Sequence, residues 1–525
     1  MTETVPGLAA RLADRPDAPA LVRCRKGASR TVSRGELARG CHHIARALYD
    51  VGVRPGHKAV VMTRDAYDLT AVSYALGVLG AVPVLIEPRA EVGRCLRDVA
   101  PDVFIGEPLA HLGRRVLGWG RPHVRIPLVT GSVPLLPGRR LVTRAPAGGV
   151  PPLRVREPDG DEPALIAFTS GSTGRPKGAE YRHATLAGQL DALSTLMGPR
   201  PDDVLLAGFL PVALLGPLLG PTTVVPAVNH LAPARTPPEE LVEPILKHRA
   251  TIVLASPAVL TLIAGHCARR GISLPSVRQV LSFGAPLRVR LCDALRDVVP
   301  DDAEILSVYG ATECLPVSAI GDHDLRASRM RPPAGHAGTC LGRPLPGIHA
   351  RILDADATGL GEIAVTGPTV SPAYHGRPDA DSATKSVTGR GVLHRTGDLG
   401  RLDDRDRLWF LGRKAHLVTG TGFTLATEDV EAAADTAPGV RRTALVGVGT
   451  AACRLPVLCV ELLPSASRAA ALEAVRAVVR DHPEGHRVGT LLLHPGFPTD
   501  PRHNSKIDRP RLADWAARRL RGRVR

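Results

Sequence analysis

Lysine and aromatic residues are both scarce in this 525-residue chain. Phenylalanine, tryptophan and tyrosine together make up 3% of the sequence, and seven of its 67 basic residues are lysine. Proteins that bind single-stranded nucleic acids stack the bases on aromatic side chains above a groove of clustered basic residues. Here the formal net charge of +16 is spread along the chain and is carried mainly by arginine. Nucleic acid is therefore not an expected partner.

The nine cysteines are scattered and include no CxxC pair. Structural zinc sites need closely spaced pairs of cysteine or histidine ligands, so no zinc site is expected. Unpaired thiols are typical of reducing compartments. The first ten residues also lack the basic start and the long apolar core of a secretory signal. These features predict a cytoplasmic protein.

One stretch without charge has to be tested as a membrane span. Residues 204–228 contain no charged side chain, but they include four prolines and three glycines. Proline interrupts a helix, whereas a spanning segment needs about 20 consecutive apolar helical residues. No transmembrane segment is therefore expected. The stretch is predicted to form buried strands and turns, which line an apolar substrate pocket.

A glycine-rich loop is the clearest local motif. Residues 169–178 read TSGSTGRPKG, between an apolar run at 164–168 and a helical pattern that begins near residue 181. Glycines let the backbone approach an anion, hydroxyls donate to phosphate oxygens, and a lysine adds positive charge. A Walker loop is excluded because no Gly-Lys-Ser/Thr triplet occurs here. The predicted phosphate-binding residues are Thr169, Ser170, Gly171, Ser172, Thr173, Gly174 and Lys177.

Alternating helical and strand patterns predict an α/β protein with a largely parallel sheet. A helical pattern covers residues 33–50, and short apolar strands cover 58–62 and 82–86. This alternation is typical of a sheet covered by helices. Further strand patterns occur at 251–255, 279–283 and 304–308.

The pattern changes twice towards the C-terminus. From about residue 338 to 410, short strands are separated by Gly, Asp and Pro, and beyond 412 helices and strands alternate again. We therefore predict a large N-terminal domain of layered mixed sheets and helices at 1–411. It includes a β-rich subdomain at 338–411, and a small α/β domain at 412–525 follows it.

Two C-terminal sequence patterns indicate function less specifically than the glycine-rich loop does. Residues 447–452 match GxGxxA, but a dinucleotide-binding loop must open a helix and the following sequence is a strand pattern. The match is discarded. Residues 510–525 alternate apolar residues with arginines, which is compatible with an acidic lipid surface but is more typical of a terminal helix packed on its domain.

Three further motifs follow the glycine-rich loop: YGATE at 309–313, RTGD at 395–398 and GR at 412–413. Lys506 follows them near the end of the chain. In this order the motifs resemble those of the adenylate-forming superfamily, which includes acyl-CoA synthetases, peptide-synthetase adenylation domains and luciferases. The resemblance covers nearly the full length. It implies an AMP-forming ligase that uses ATP and Mg²⁺ to activate a carboxylic acid, with a mobile C-terminal domain that carries Lys506.

The resemblance also implies a role for each motif residue. Lys506, Glu313 and Thr312 would be catalytic, with Glu313 binding Mg²⁺ and Thr312 touching the α-phosphate. A loose, anionic transition state requires positioning and charge neutralisation, which suits a lysine and a metal-binding carboxylate. Tyr309 would stack on adenine, Asp398 would accept hydrogen bonds from the ribose, and Arg413 would contact ribose or phosphate. The remaining implied nucleotide-binding residues are Gly284, Ala285 and Gly310.

Several longer strings resemble a narrower family, the β-lactone synthetases of bacterial olefin and β-lactone biosynthesis. They include YRH at 181–183, YGATECLPV at 309–317, LWFLGRKAH at 408–416 and GFPTDPRHNSKI at 496–507. The resemblance implies adenylation of a 2-alkyl-3-hydroxy acid, whose own 3-hydroxyl then displaces AMP. Coenzyme A would not be required. Other enzymes of the same lipid or lactone pathway are candidate partners.

Alternatives remain open from the sequence. Most members of the superfamily carry Asp or Lys at the hinge, whereas this chain has Ala415. A long-chain fatty acyl-CoA ligase or a fatty acyl-AMP ligase is the nearest alternative function, and a non-catalytic nucleotide- or lipid-binding homologue is another. The sequence does not identify the base for lactone closure, for which His183, His336 and the phosphate itself are candidates. By position relative to the family pattern, Phe209, Leu210, Leu214 and His183 are candidates for the substrate pocket.

Overall fold

A computed structural model describes most of the chain. The described residues are 4, 7, 10–25, 27–86, 91–131, 139–146, 151, 153, 156–168, 175–229, 233–330, 338–450, 453–499 and 507–521. Some predicted site residues fall outside this set: Thr169, Ser170, Gly171, Ser172, Thr173, Gly174, His336 and Lys506.

Helices and strands alternate through much of the described chain. The strands are β1 Pro19–Arg25, β2 Ala28–Ser33, β3 Lys58–Met62, β4 Val82–Leu85, β5 Val103–Gly106, β6 Ile126–Val129, β7 Arg139–Arg140, β8 Pro163–Phe168, β9 Gly178–Arg182, β10 Val204–Ala207, β11 Thr222–Val225, β12 Ile252–Ala255, β13 Gln279–Phe283, β14 Glu304–Ala311, β15 Cys314–Gly321, β16 Thr339–Pro344, β17 His349–Leu353, β18 Gly361–Thr366, β19 Ala373–Tyr374, β20 Lys385–Thr388, β21 Gly391–Leu402, β22 Leu408–Arg413, β23 Val418–Gly420, β24 Phe423–Leu425, β25 Val440–Thr450, β26 Cys453–Leu462 and β27 Thr490–Leu493. The helices are α1 Arg34–Asp50, α2 Ala66–Leu79, α3 Val92–Val99, α4 Pro108–Val116, α5 His183–Met197, α6 Val212–Leu219, α7 Glu239–Lys247, α8 Pro257–Arg270, α9 Val289–Arg296, α10 Asp322–Met330, α11 Pro378–Thr384, α12 Thr427–Ala434, α13 Arg468–Asp481 and α14 Arg509–Arg521.

The chain divides into two compact units. The first unit consists of Met1–Leu306, Gly310–Pro316 and Thr366–His394. The second unit consists of Ser307–Tyr309, Val317–Val365 and Arg395–Arg525. The predicted domain boundary between residues 411 and 412 falls inside the second unit, and that boundary stays a prediction.

Strands of the first unit lie in two sheets. One has the order β13-β12-β10-β11-β1-β2, in which all neighbours are parallel except β1 and β2. The other has the order β19-β9-β8-β4-β3-β5-β6-β7, with antiparallel pairing where β9 meets β8 and β19. Helix α2 belongs to the core of this unit, since twelve of its residues are buried. The predicted α/β architecture is present here.

Sequence capping signals account for the start of the first helices. Helix α1 begins directly after Ser33, whose hydroxyl accepts a hydrogen bond from the backbone N–H of Glu36 at 3.1 Å. Helix α2 begins after Asp65, whose carboxylate accepts from the backbone N–H groups of Tyr67 and Asp68. These side chains satisfy amide groups that a helix leaves unpaired in its first turn. The helix predicted at 33–50 is confirmed.

The prediction of strands and turns over residues 204–228 is wrong in part, because helix α6 occupies its centre despite Pro217. Proline cannot donate to the carbonyl four residues earlier, which is that of Ala213. The hydroxyl of Thr70 donates to this carbonyl instead, at 3.0 Å. Tyr74 donates to the next carbonyl of the helix. These donors from α2 replace the missing helical bond. No helix within the described residues has the length and apolar character needed to cross a membrane.

The second unit contains two groups of strands. Strands β16, β22 and β21 are antiparallel neighbours in the region predicted to be β-rich. Further along the chain, β25 and β26 form a long antiparallel pair, and β27 adds a parallel strand to β26. Strand β26, rather than a helix, follows the GxGxxA match, so discarding that match is confirmed. Leu512 and Ala516 of α14 are fully buried against β25 and β26. The terminal helix therefore packs on its own unit, as predicted.

Candidate active site

Glu313 lies in the turn between β14 and β15, at the end of the YGATE motif. The backbone is tightly packed at Gly310, where an added Cβ would lie 2.8 Å from the carbonyl oxygen of Cys314. Only glycine fits there without a shift of the neighbouring chain. The carbonyl of Glu313 accepts a hydrogen bond from the backbone N–H of Ser371 at 2.8 Å. The close packing at Gly310 and the hydrogen bond from Ser371 therefore fix the main chain that carries Glu313.

The Glu313 carboxylate is oriented by a tyrosine that the sequence reading did not single out. The hydroxyl of Tyr374 donates a hydrogen bond to Oε1 of Glu313 at 2.6 Å. Burial, together with the nearby charge of Glu313, raises the pKa of Tyr374 well above its ordinary value. The phenol consequently keeps its proton at neutral pH and acts as the donor in this bond.

Two of the seven lysines of the chain lie against the ring of the same tyrosine. The Nζ atoms of Lys177 and Lys385 are 4.8 Å and 5.0 Å from the centroid of the Tyr374 ring. A cation at this distance is attracted to the aromatic quadrupole. Lys385 also donates to the carbonyl of Ser371 at 2.6 Å. The ring centroid of His394 lies 6.5 Å from that of Tyr374. Together these residues form the Tyr374 cluster: Lys177, Glu313, Tyr374, Lys385 and His394.

Charges within the cluster favour an ionised Glu313. Burial raises the pKa of this carboxyl, but the charge of His394, the hydrogen bond from Tyr374 and the cation of Lys385 together bring it below its ordinary value. Burial and the charge of Lys385 in turn lower the pKa of His394 to about 4. His394 is therefore uncharged at neutral pH, and its charge helps to lower the pKa of Glu313 only in acid. Tyr374 and Lys385 then stabilise the Glu313 carboxylate.

The fit of this site to Mg²⁺ can be judged from its donors. Mg²⁺ retains several waters and is commonly held by one or two carboxylates together with substrate phosphates. Within the described residues, no group of three His, Cys, Asp or Glu side chains is arranged to hold a metal ion alone. One ionised carboxylate at a partly exposed turn, Glu313, suits an ion that a nucleotide brings with it. The residues fit Mg²⁺ bound together with ATP.

Three other predicted residues of the first unit, Thr312, Gly284 and Ala285, lie on defined backbone. The hydroxyl of Tyr181 in β9 donates to the carbonyl of Thr312, which ties the YGATE turn to the strand that follows Lys177. Gly284 directly follows β13 and has a φ of +95°, a value that only glycine adopts without strain. Ala285 follows it, partly exposed. Ligands of α/β sheets bind at the carboxyl ends of strands, where these two residues lie.

Three predicted nucleotide-binding residues meet in the second unit. Asp398, which is 4% exposed, lies opposite Arg413 on the paired strands β21 and β22. Its Oδ1 is 2.9 Å from Nε of Arg413, and its Oδ2 accepts a hydrogen bond from the Tyr309 hydroxyl at 2.8 Å. Each carboxylate oxygen has a second lone pair that remains able to accept a hydroxyl.

A second buried carboxylate fixes the segment that carries Asp398. Glu362, which is 6% exposed, accepts from the backbone N–H of Gly397 at 3.2 Å. It also pairs with Arg395 at 2.8 Å and with Lys414 at 3.2 Å. Burial raises the pKa of Glu362, but these two cations lower it below its ordinary value. Glu362 thus links the RTGD motif to the residue after Arg413.

The residues on either side of the segment that contains Lys506 are well anchored. Thr499 and Ile507 form an antiparallel bridge, and the backbone N–H of Asp508 donates to the carbonyl of Pro498 at 2.8 Å. Arg509 forms two hydrogen bonds with the buried carboxylate of Glu431, at 2.6 Å and 2.8 Å. The described residues before and after this segment are therefore held at fixed positions in the second unit.

The candidate substrate residues of the first unit differ in exposure. Phe209, Leu210 and Leu214 are partly exposed, near the start of helix α6. His183, the first residue of α5, is 3% exposed, and burial lowers its pKa. An uncharged imidazole of this kind retains the form that a base requires.

The imidazole of His416, next to Ala415 in the second unit, makes the stability of the fold depend on pH. Ala415 is exposed, whereas burial and the charges of Arg509 and Arg413 lower the pKa of His416 to about 3. An unfolded histidine takes up a proton near pH 6.5. The unfolded chain then binds more protons than the folded one, so stability falls as the pH falls from about 6.5 towards 3.

We expect His416→Gln to reduce this acid sensitivity without a comparable effect at pH 8. The measurement is the free energy of unfolding in urea at several pH values between 8 and 4. His349→Gln is the control, because His349 is exposed in the same unit. Equal pH profiles for the wild type and His416→Gln would contradict the assignment.

Some of these residues carry no sequence signal. Tyr374 and Glu362 lie far along the chain from the residues they bind, in stretches without a motif. Lys385 had one available signal, since lysine is rare in this chain. Lys385 lies near Lys177 because both contact the ring of Tyr374, whose strand β19 pairs with β9. The local sequence does not specify that pairing.

Comparison with known proteins defines the class. The chain belongs to the AMP-binding enzyme family, whose sequence profile matches residues 8–375. It is 39% identical to the olefin beta-lactone synthetase of Stenotrophomonas maltophilia (strain K279a), with 98% of this chain and 99% of the relative covered. It is also 39% identical to the olefin beta-lactone synthetase of Xanthomonas campestris pv. campestris, with 93% and 91% covered. The predicted resemblance to this family is confirmed.

The fold is also shared with solved structures. The amide bond synthetase McbA from Marinactinospora thermotolerans superposes with a TM-score of 0.81 at 24% identity, and the match covers 98% of this chain and 99% of that one. At this identity the likeness shows the fold alone. It confirms the predicted α/β fold class.

Proposed function

We propose that this protein is an ATP-dependent β-lactone synthetase that acts on 2-alkyl-3-hydroxy acids. The observation that carries the proposal is the 39% identity to an olefin beta-lactone synthetase over 98% of the chain. In the first step the carboxylate attacks the α-phosphorus of ATP and releases pyrophosphate. In the second step the 3-hydroxyl attacks the acyl carbon, loses its proton and displaces AMP, which closes the four-membered ring.

The residues of the adenylation step have roles that suit their surroundings. Lys177 and the loop at 169–174 bind phosphates, and Thr312 contacts the α-phosphate. Glu313 holds Mg²⁺, which neutralises phosphate charge when it is bound. The ionised state of this carboxylate, favoured by Tyr374 and Lys385, supports that role.

In the second unit, the pair formed by Asp398 and Arg413 supports a ribose-binding role for Asp398, because the cation keeps the carboxylate available as an acceptor. Tyr309 contacts adenine through its ring, while its hydroxyl holds Asp398. Gly284, Ala285 and Gly310 bring backbone close to the nucleotide. Lys506 supplies positive charge to the anionic transition state.

Lactone closure needs no second substrate. The adenylate turns a poor leaving group into a good one, and a site that holds the hydroxyl near the acyl carbon supplies a high effective concentration. Ala415, in place of the usual Asp or Lys of the hinge, supports a reaction that ends without transfer to a thiol. We therefore include ATP and Mg²⁺ but not coenzyme A as requirements, and we propose a cytoplasmic enzyme with a small-molecule substrate.

The test is an incubation with ATP, Mg²⁺ and a 2-alkyl-3-hydroxy acid, with product analysis by mass spectrometry. We expect AMP, pyrophosphate and a product lighter than the acid by one water, without added coenzyme A. The matched control is the same acid without its 3-hydroxyl, which should be adenylated but give no lactone. Product formation only after addition of coenzyme A would instead identify an acyl-CoA ligase. A stable acyl-AMP product from the hydroxy acid would identify an acyl-AMP ligase.

A further inference from the structure

Tyr374 connects two motifs that are distant in the sequence. Its backbone belongs to β19, where it pairs with Ala179, two residues after Lys177. Its hydroxyl reaches Glu313 at 2.6 Å. Tyr374 is 3% exposed, and its backbone N–H donates to the carboxylate of Asp381 at 2.8 Å. One rigidly held side chain therefore contacts both the end of the glycine-rich loop and the YGATE turn.

The ring and the hydroxyl of Tyr374 act on different groups. The ring lies within 5.0 Å of the ammonium groups of Lys177 and Lys385. The hydroxyl contacts only one of the proposed nucleotide-binding residues in the described part of the chain, Glu313. Substitution of a side chain that orients a metal ligand in this way commonly lowers the metal affinity about 10-fold to 100-fold. A cation held on an aromatic ring contributes a smaller effect.

We propose that Tyr374 is a positioning residue that couples the Mg²⁺ ligand Glu313 to the phosphate-binding Lys177. The inference rests on the proposed function, which assigns those two roles. Through its hydroxyl, Tyr374 fixes the Glu313 carboxylate that would hold the metal ion. Through its ring, it restricts the ammonium group of Lys177. Lys385 completes the arrangement as a second cation that balances Glu313 while no metal ion is bound.

Two substitutions separate the two contributions. Tyr374→Phe keeps the ring and removes the hydroxyl, whereas Tyr374→Leu removes both. The readout is calorimetric binding of α,β-methylene-ATP, an analogue that cannot release pyrophosphate, at a series of Mg²⁺ concentrations. For Tyr374→Phe we expect the Mg²⁺ concentration for half-maximal binding to rise about 10-fold. The Kd of the analogue at saturating Mg²⁺ should change by less than about twofold, because the ring remains in place.

Tyr374→Leu should show the same Mg²⁺ shift and, in addition, an analogue Kd raised about threefold to tenfold at saturating Mg²⁺. The matched control is Tyr67→Phe. Tyr67 is 2% exposed in the same unit, and its hydroxyl donates to the carbonyl of Thr143 at 3.1 Å. Its loss should reduce stability and leave Mg²⁺ dependence unchanged. Phe fills nearly the volume of Tyr, so Tyr374→Phe decides the question even where Tyr374→Leu does not fold.

A Mg²⁺ dependence of Tyr374→Phe that equals that of the wild type would overturn the inference. An equal shift in Tyr67→Phe would also overturn it, because the effect would then follow from lost stability. Failure of the wild-type protein to bind the analogue at any Mg²⁺ concentration is a different result. It would reject the proposed function together with the inference.

Discussion

Lys506→Ala is expected to lower the rate of pyrophosphate release about 100-fold to 1,000-fold, which is the usual effect of removing one group that stabilises transition-state charge. Negative charge is spread over the phosphate oxygens as the carboxylate attacks, and the protein supplies no nucleophile of its own. We therefore expect a single lysine brought to these oxygens to carry much of the catalytic effect. Binding of ATP should weaken far less than the rate, because the charge that Lys506 neutralises develops in the transition state.

The measurement is acid-dependent exchange of labelled pyrophosphate into ATP, which reports adenylation without the lactone step. Lys247→Ala is the matched control, since Lys247 is exposed at the end of α7 and belongs to no motif. The control should keep its rate within about twofold. An exchange rate for Lys506→Ala within tenfold of the wild type would remove this residue from the catalytic step.

Lysine scarcity helped to identify candidate site residues in the sequence. The seven lysines include Lys177 and Lys506 in family motifs, and the other basic residues among the 67 are arginines. In such a sequence a lysine at a motif position is informative. Lys385 is equally rare as a residue type, but the stretch that contains it, KSVTGRG, matches no catalytic or binding motif.

Secondary structure was predictable where interactions between residues close in the sequence determine it. The strand at Lys58–Met62 and the helix start after Ser33 follow from apolar runs and a capping hydroxyl. Helix α6 could not be predicted in this way. Its proline is tolerated because Thr70, far earlier in the chain, satisfies the freed carbonyl. A donor that is distant in the sequence leaves no pattern in the helix whose carbonyl it satisfies.

The contacts within the site depend on pairing between distant strands. Asp398 and Arg413 are opposite each other because β21 and β22 are antiparallel in that register. Tyr374 lies near Lys177 because β19 pairs with β9, and it reaches Glu313 because Val370 and Ser371, just before it, bind the backbone of Cys314 and Glu313. Motifs identify which residues take part in chemistry, whereas the side chains that orient them are determined by strand register. For that reason Tyr374 and Glu362 emerged only from the structure.

Arg509→Ala is expected to destabilise the second unit by about 3–5 kcal/mol, the usual effect of leaving a buried charge without its partner. Glu431 is 1% exposed, and Arg509 binds both of its carboxylate oxygens. The same carboxylate accepts from the backbone N–H of Leu445 at 2.6 Å, and Arg509 donates to the carbonyl of Leu445 at 2.9 Å. Removal of the guanidinium leaves this carbonyl and the carboxylate short of a donor.

The loss should grow with pH. Burial raises the pKa of Glu431, and the positive charge of Arg509 opposes that rise. Without Arg509 the folded-state pKa rises further above the unfolded value. Below the pKa of the unfolded state, a carboxyl group of this kind is uncharged and its burial is tolerated. Its contribution to the stability of the fold is lost as the pH rises through the pKa of the folded state. The free energy of unfolding of Arg509→Ala should therefore fall further below that of the wild type at pH 8 than at pH 5.

Urea unfolding followed by tryptophan fluorescence measures this, since Trp409 and Trp515 both belong to the second unit. Arg511→Ala is the matched control, because the side chain of Arg511 is 77% exposed and lies 4.0 Å from Asp508; it should change stability by less than about 0.5 kcal/mol. The double variant Glu431→Leu/Arg509→Met removes both charges and keeps apolar volume, so it should be more stable than Arg509→Ala alone. A double variant as unstable as Arg509→Ala would show that packing, rather than the unpaired carboxylate, causes the loss.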